Sequence, residues 1–143
     1  MKVSELMSKN VVALKMDDSA ARAATLFARH NIGVLPVCAN DGKLRGILTD
    51  RDIVLRCVAG ECRPEETTVR EIMTRGVASV SPEDDVRAAA HLMSVEQVRR
   101  LPVVEQGRVV GMISLADMAR NNAYDMEASK TLGDITARKT KFS

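Results

Sequence analysis

The chain has 143 residues, 45% hydrophobic and 28% charged, with 21 Lys and Arg against 19 Asp and Glu for a net charge of +2. That is the size and balance of one ordinary globular domain, and it excludes a polyelectrolyte or a disordered tail. Two Phe, one Tyr and no Trp leave no material for a base-stacking aromatic platform, and so small a charge argues against nucleic acid as a partner.

Taken in chain order, Val3–Met7 reads as a short helical turn and Val11–Leu14 as a β-rich run. Ser19 is a good N-cap for an amphipathic helix over about 20–31, whose Ala20, Ala23, Ala24 and Phe27 fall at the i, i+3, i+4, i+7 spacing of a buried face. Val34–Cys38 and Leu44–Leu48 read as strands of a hairpin turned at Asn40-Asp41-Gly42, with a helix starting after Thr49. CVAGECRPEETT, with Gly60 and Pro64, reads as a connector. The series then recurs: Val69–Met73, Val77–Val80, a helix over 86–96 capped by Asp85 with Val86, Ala89, Ala90 and Met93 on its face, a Leu101–Val104/Val109–Ile113 hairpin turned at Gln106-Gly107, and a helix after Ser114. Within the tail, SKTLGDIT is expected to form a short helix and RKTKFS to fray.

The recurrence is a duplication. Residues 3–40 align with 69–106 and residues 42–55 with 107–120, with one deletion at Asp41; 14 of the 52 aligned positions are identical. Each copy reads β-α-β-β-α, and about 55 residues bury such a sheet and helices poorly, so two copies packed together are the expected core. The expected class is α+β, a tandem duplication packed as one pseudo-two-fold pair. Its boundaries are 1–60 for the first copy, 61–68 for the connector, 69–122 for the second copy and 123–143 for the tail.

No apolar run approaches the roughly 20 residues of a membrane span, and MKVSELMSKN lacks a signal peptide's apolar stretch, so the expected location is cytoplasmic, with no membrane partner. Three cysteines agree: Cys38, Cys57 and Cys62 form no CxxC pair, and neither His30 nor His91 stands at a ligand-like spacing from them. They read as ordinary thiols, and no metal is expected.

The most informative string is Gly46-Ile-Leu-Thr49-Asp50-Arg51-Asp52, answered by Gly111-Met-Ile-Ser114-Leu-Ala-Asp117. Both read G-x-x-[T/S]-x-x-D where a strand meets a helix. One reading is a capping box. The other is a ligand site. Glycine in a strand often marks a ligand or another backbone in close approach. A helix N-terminus with the Thr49 or Ser114 hydroxyl suits a phosphate, and Asp52 or Asp117, one turn on, suits a ribose diol.

On these strings, together with VSELM/VREIM and IGVLPV/VRRLPVV, residues 3–120 resemble a pair of CBS motifs, the Bateman module named after cystathionine β-synthase. Small stand-alone bacterial proteins of one CBS pair are the most similar. The resemblance implies regulatory binding of an adenosyl ligand in the clefts of the pair: AMP, ADP or ATP first, NAD or S-adenosylmethionine otherwise. It places the ribose acid on Asp52 and Asp117 and the phosphate-side hydroxyl on Thr49 and Ser114. Adenine falls beside Val12 or Ala78, with Ile32 and Pro36 or Val98 and Pro102. Arg100, with Arg99 beside it, resembles phosphate contacts in nucleotide-sensing members, although adjacent arginines also form solvated faces. Lys9, Arg75 and Arg51 are further cation candidates. The second site is thus expected to prefer a phosphorylated nucleotide, and the first a less charged adenosyl ligand or none.

The resemblance also implies a homodimer and, without an attached effector domain, an effector protein in trans. No nucleophile–base motif, HExxH or GxxxxGK[ST] string occurs, so no enzymatic activity is expected. The alternative is a structural or protein-interaction module with degenerate sites.

Overall fold

A computed structural model describes residues 1–121 and 125–140. Its elements are α1 (Val3–Leu6), β1 (Leu14–Lys15), α2 (Ala20–His30), β2 (Val34–Cys38), β3 (Leu44–Thr49), α3 (Asp50–Asp52) running into a π-helical segment (Ile53–Val58), α4 (Val69–Ile72), α5 (Val86–Glu96), β4 (Arg100–Glu105), β5 (Arg108–Ser114), α6 (Leu115–Ala119) and α7 (Asp125–Thr140). The class is α+β, as expected.

The local signals act as read. The Ser19 and Asp85 side chains accept from the backbone N–H of Arg22 and Arg87, which starts α2 and α5. Asn31 and Gln97, equivalent in the duplication, end those helices in the left-handed conformation. At the hairpin turns Gly42 has φ 85°, and Gln106 and Gly107 have φ 52° and 81°. β1 pairs parallel with β2, and β2 antiparallel with β3. β1 is Leu14–Lys15, so only Leu14 of the expected Val11–Leu14 run is strand, and its equivalent in the second copy is shorter still: Val80 makes one parallel bridge to Val103, beside the β4–β5 pair.

The chain forms two compact units, neither of which is a contiguous half of the sequence. The first joins Val12–Val77 with Gly107–Val109; the second joins Met1–Val11, Ala78–Gln106 and the chain from Val110. The duplicated opening segments are exchanged. In the first unit, α4 and its exit lie on β3: Ile47 and Thr74 exchange backbone hydrogen bonds of 3.0 and 2.8 Å. In the second unit, α1 and its exit lie on β5, where Ser8 and Met112 exchange bonds of 2.8 and 3.0 Å. The strand glycines make room for this. A Cβ on Gly46 would stand 2.5 Å from the Thr74 carbonyl oxygen, and one on Gly111 would stand 2.9 Å from that of Ser8. Of the two reasons for a strand glycine, close approach of another backbone is the one realised.

Each unit has its own aliphatic core. The first is built on Leu14, Ala20, Ala23, Phe27, Leu35, Val37, Leu48, Ile53, Val69 and Ile72. The second is built on Val3, Val86, Ala89, Ala90, Met93, Leu101, Val103, Ile113 and Met118. One expected core position is corrected: Ala24 is exposed on α2 although its equivalent, Ala90, is buried. The difference is α7, which packs on α5 and α6 with Ala128, Thr131 and Ile135 buried. The short helix expected in the tail is thus a 16-residue helix. Of the end expected to fray, residues 141–143 lie outside the described residues.

Candidate ligand-binding sites

In the first unit, Thr49 and Asp52 sit where β3 enters α3. The N–H of Asp52 donates to the Thr49 hydroxyl at 3.0 Å, and the N–H of Thr49 donates to the Asp52 carboxylate at 3.0 Å. This is a complete capping box. Asp52 is buried, and its carboxylate gathers two further groups: the Thr74 hydroxyl, donating at 3.5 Å, and the Arg56 guanidinium at 3.9 Å. Arg56 also donates to the Ile72 and Met73 carbonyls at 3.1 Å, which ties α4 to the helix bearing the acid.

The second unit repeats the box with Ser114 and Asp117, at 3.1 and 2.9 Å, and the Asp117 carboxylate pairs with Arg120. At both sites the capping reading is therefore realised in full. The regular helices that follow are short, three residues in α3 and five in α6. The N–H groups of Asp52 and Asp117 already donate to hydroxyls, so the phosphate seat expected from a helix dipole is weaker than the sequence suggests.

The duplicated positions differ in charge as the sequence indicates, and the structure adds a partner to that difference. The N–H of Asp50 donates to the Gly33 carbonyl at 3.0 Å, and that of Leu115 to the Arg99 carbonyl at 2.9 Å, so residues 33 and 99 are fixed beside the helix starts. A Cβ on Gly33 would come within 3.0 Å of the Asp50 carboxylate. The first site therefore carries an acid where the second carries Leu115. Arg99 and Arg100 are exposed, and among the described residues neither forms an ion pair. With Ser114 and Leu115 they line a cavity of about 490 Å³ whose far wall is Ser129 and Leu132 of α7.

The remaining predicted residues divide between the units. Val12 and Ile32 are half-buried against the first core and Pro36 is buried in β2. Ala78 and Val98 lie against the second core and Pro102 is buried in β4, where its carbonyl accepts from the Val80 N–H at 3.1 Å. Arg51 is exposed on α3. The exchange moves two cations: Lys9 follows Ser8 in the second unit, and Arg75 follows Thr74 in the first, so each belongs to the unit of the other copy.

Sequence reasoning missed Thr74, Arg56, Arg120 and the α7 wall. Thr74 had a usable signal, because its equivalent in the duplication, Ser8, is also a hydroxyl following methionine. The α7 residues had none, since the tail has no counterpart in the first copy. Among the described residues, no group of three or more His, Cys, Asp or Glu is placed to hold a metal ion, and no helix is long and apolar enough to cross a membrane.

A duplicated α+β unit with a polar site at each strand–helix junction defines a class of ligand-binding regulatory module. The CBS domain family matches residues 3–58 and 69–123, and the chain belongs to that family. It is similar to hypoxic response protein 1 of Mycobacterium tuberculosis, 33% identical over 117 residues and 82% of each chain. A crystal structure of Hypoxic Response Protein I with two coordinated zinc ions matches with a TM-score of 0.79 at 32% identity, over 85% of this chain and 98% of that one. The CBS domain pair of protein MJ0100, in complex with 5′-methylthioadenosine and S-adenosyl-L-methionine, matches with a TM-score of 0.74 at 33% identity, over 84% and 94%. The CBS domain protein PAE2072 from Pyrobaculum aerophilum, complexed with AMP, matches with a TM-score of 0.78 at 26% identity, over 91% and 99%.

Proposed function

We propose that this chain is a regulatory module that binds an adenosyl ligand, with a phosphorylated nucleotide such as AMP, ADP or ATP at the second site. The observation that carries the reading is the cavity in the second unit, where Arg99 and Arg100, which form no ion pair among the described residues, stand beside Ser114. Two guanidiniums at the rim of a partly apolar cleft suit an anion attached to a flat apolar body. Complexes of similar proteins with AMP and with S-adenosylmethionine support the adenosyl class. Asp117 accepts a ribose diol by exchanging Arg120 for the two hydroxyls. The first site has Gly33 and Val34 in place of the two arginines and Asp50 in place of Leu115, and is assigned a less charged ligand, with Asp52 releasing Thr74 to receive it.

The module acts by binding, not by chemistry. A ligand with different affinity for two conformations shifts their populations by that difference. Its output passes to a separate protein, and the working form is a homodimer in the cytoplasm. A second reading, an interaction module with no ligand, draws on the carboxylates: Asp52 and Asp117 already have internal partners.

The test is calorimetric titration and thermal shift with AMP, ADP, ATP, NAD and S-adenosylmethionine, with Zn²⁺ as a separate arm. The reading expects saturable binding of an adenosine nucleotide, weakened by Arg100→Ala. A panel with no binding would leave the interaction reading in its place.

A further inference from the structure

Two of the three cysteines share the end of the helical segment that follows Asp52. The π-helical segment Ile53–Val58 closes with the N–H of Cys62 donating to the Cys57 carbonyl at 2.9 Å and that of Glu61 to the Val58 carbonyl at 3.1 Å. Glu61 stands at φ 61°, in the left-handed region. This pair of bonds around a left-handed residue is a Schellman ending, a motif that brings together the side chains at the positions held here by Cys57 and Cys62. The 2.9 Å bond and ordinary backbone lengths keep the two Cα atoms within about 7 Å, close to the upper limit for a disulfide.

The thiols are placed unequally. Cys57 is buried, and its sulfur points at the Cys62 carbonyl 3.5 Å away. Cys62 is exposed at a cavity of about 500 Å³ lined also by Arg56, Arg63, Glu61, Glu66 and Thr67. The Cys62 sulfur lies 3.6 Å from the Gly60 carbonyl oxygen, so one thiol is open to a small reagent and the other is buried.

We propose that Cys57 and Cys62 are a redox site that closes reversibly as an intramolecular disulfide. The oxidant is a low-molecular-weight disulfide, RSSR. The Cys62 thiolate attacks one sulfur of RSSR, breaking its S–S bond, expelling one thiolate and leaving a Cys62–S–S–R mixed disulfide. The Cys57 thiolate then attacks the Cys62 sulfur, expelling the second. The two protein thiols are oxidised, RSSR is reduced, and the two protons leave on two RSH. The site adjoins the ligand-site network, because Arg56, which holds the Ile72 and Met73 carbonyls and pairs with Asp52, immediately precedes Cys57.

The test uses the full chain carrying Cys38→Ser, equilibrated with mixtures of reduced and oxidised glutathione, blocked with N-ethylmaleimide, digested with trypsin and weighed. Cleavage after Arg56 keeps both cysteines in one peptide, CVAGECRPEETTVR, since the Arg63–Pro64 bond resists trypsin. The proposal expects this peptide to become lighter by two hydrogens, to take no maleimide, and to recover two maleimide sites after dithiothreitol. In Cys57→Ala the mixed disulfide on Cys62 should accumulate instead. The proposal is overturned if the parent peptide takes two maleimides in every glutathione mixture, or if the parent chain yields only glutathione on Cys62, at the level seen in Cys57→Ala, or only Cys62–Cys62 dimers between chains.

Discussion

Replacing Gly46 by alanine tests the exchange of opening segments. The new Cβ would lie 2.5 Å from the Thr74 carbonyl oxygen and 3.3 Å from the Met73 sulfur, and the first of these is backbone that cannot rotate away. Relief requires the exit of α4 to move off β3 by most of an ångström, which breaks the pair of hydrogen bonds between Ile47 and Thr74. Each such bond contributes about 1 kcal/mol net, and overpacking adds about 1 kcal/mol or more. The expected loss is therefore about 3 kcal/mol or more, a fall in Tm of roughly 6–12 °C for a chain of this size. Gly133→Ala is the control: it lies in α7 with nothing within 4 Å of the added Cβ, and alanine is favoured there by about 0.8–1 kcal/mol. Differential scanning calorimetry should show the two variants moving in opposite directions. A Gly46→Ala protein melting with the parent would refute the placement of the 69–74 segment on β3.

Removing both guanidiniums at the second site, with Arg99→Ala and Arg100→Ala, should weaken AMP by about tenfold or more, from about 1.5–3 kcal/mol per charged hydrogen bond. Tm without ligand should stay unchanged, because both side chains are exposed and unpaired among the described residues; titration calorimetry and melting read the two effects separately. Ile135 is fully buried on α7, and Ile135→Ala should cost about 2–5 kcal/mol in denaturant unfolding; no loss would mean that α7 is not docked. Burial pushes the Cys38 thiol above its ordinary range, and the nearby Asp41 carboxylate adds to the rise. The folded state thus holds that proton more tightly than the unfolded one, so the contribution is fully present below the ordinary thiol range and is lost as pH rises above about 8.5. Urea midpoints followed across that range should fall less steeply in Cys38→Ala.

Much of the fold was legible because it is governed by neighbours in sequence. Ser19, Asp85, Gly42 and Gln106-Gly107 each act through a hydrogen bond or a backbone angle within a few residues, and α2 and α5 bury their stripes apart from Ala24. The exceptions have nonlocal causes. Val77–Val80 carries a strand composition yet yields one bridge, at Val80, because strand formation depends on what lies alongside. The candidate site divides in the same way. Thr49 with Asp52, Ser114 with Asp117, and the Arg99–Arg100 contrast were readable from the duplication, whereas Thr74 and Arg56 reach Asp52 only through the folded chain.

The sequence by itself determined a duplicated β-α-β-β-α unit, its caps and turns, and the unequal charge of the two copies, since all of these are properties of spacing and residue type. The tertiary structure decided which copy's opening segment rests on which sheet, and therefore that Lys9 and Arg75 change units. It also decided the fate of equivalent alanines: Ala24 is exposed and Ala90 buried because α7 covers one helix and nothing in the same unit covers the other in that way. A periodic pattern states which face is apolar. What buries that face is settled by chain that arrives from far away in sequence, and no local pattern encodes its arrival.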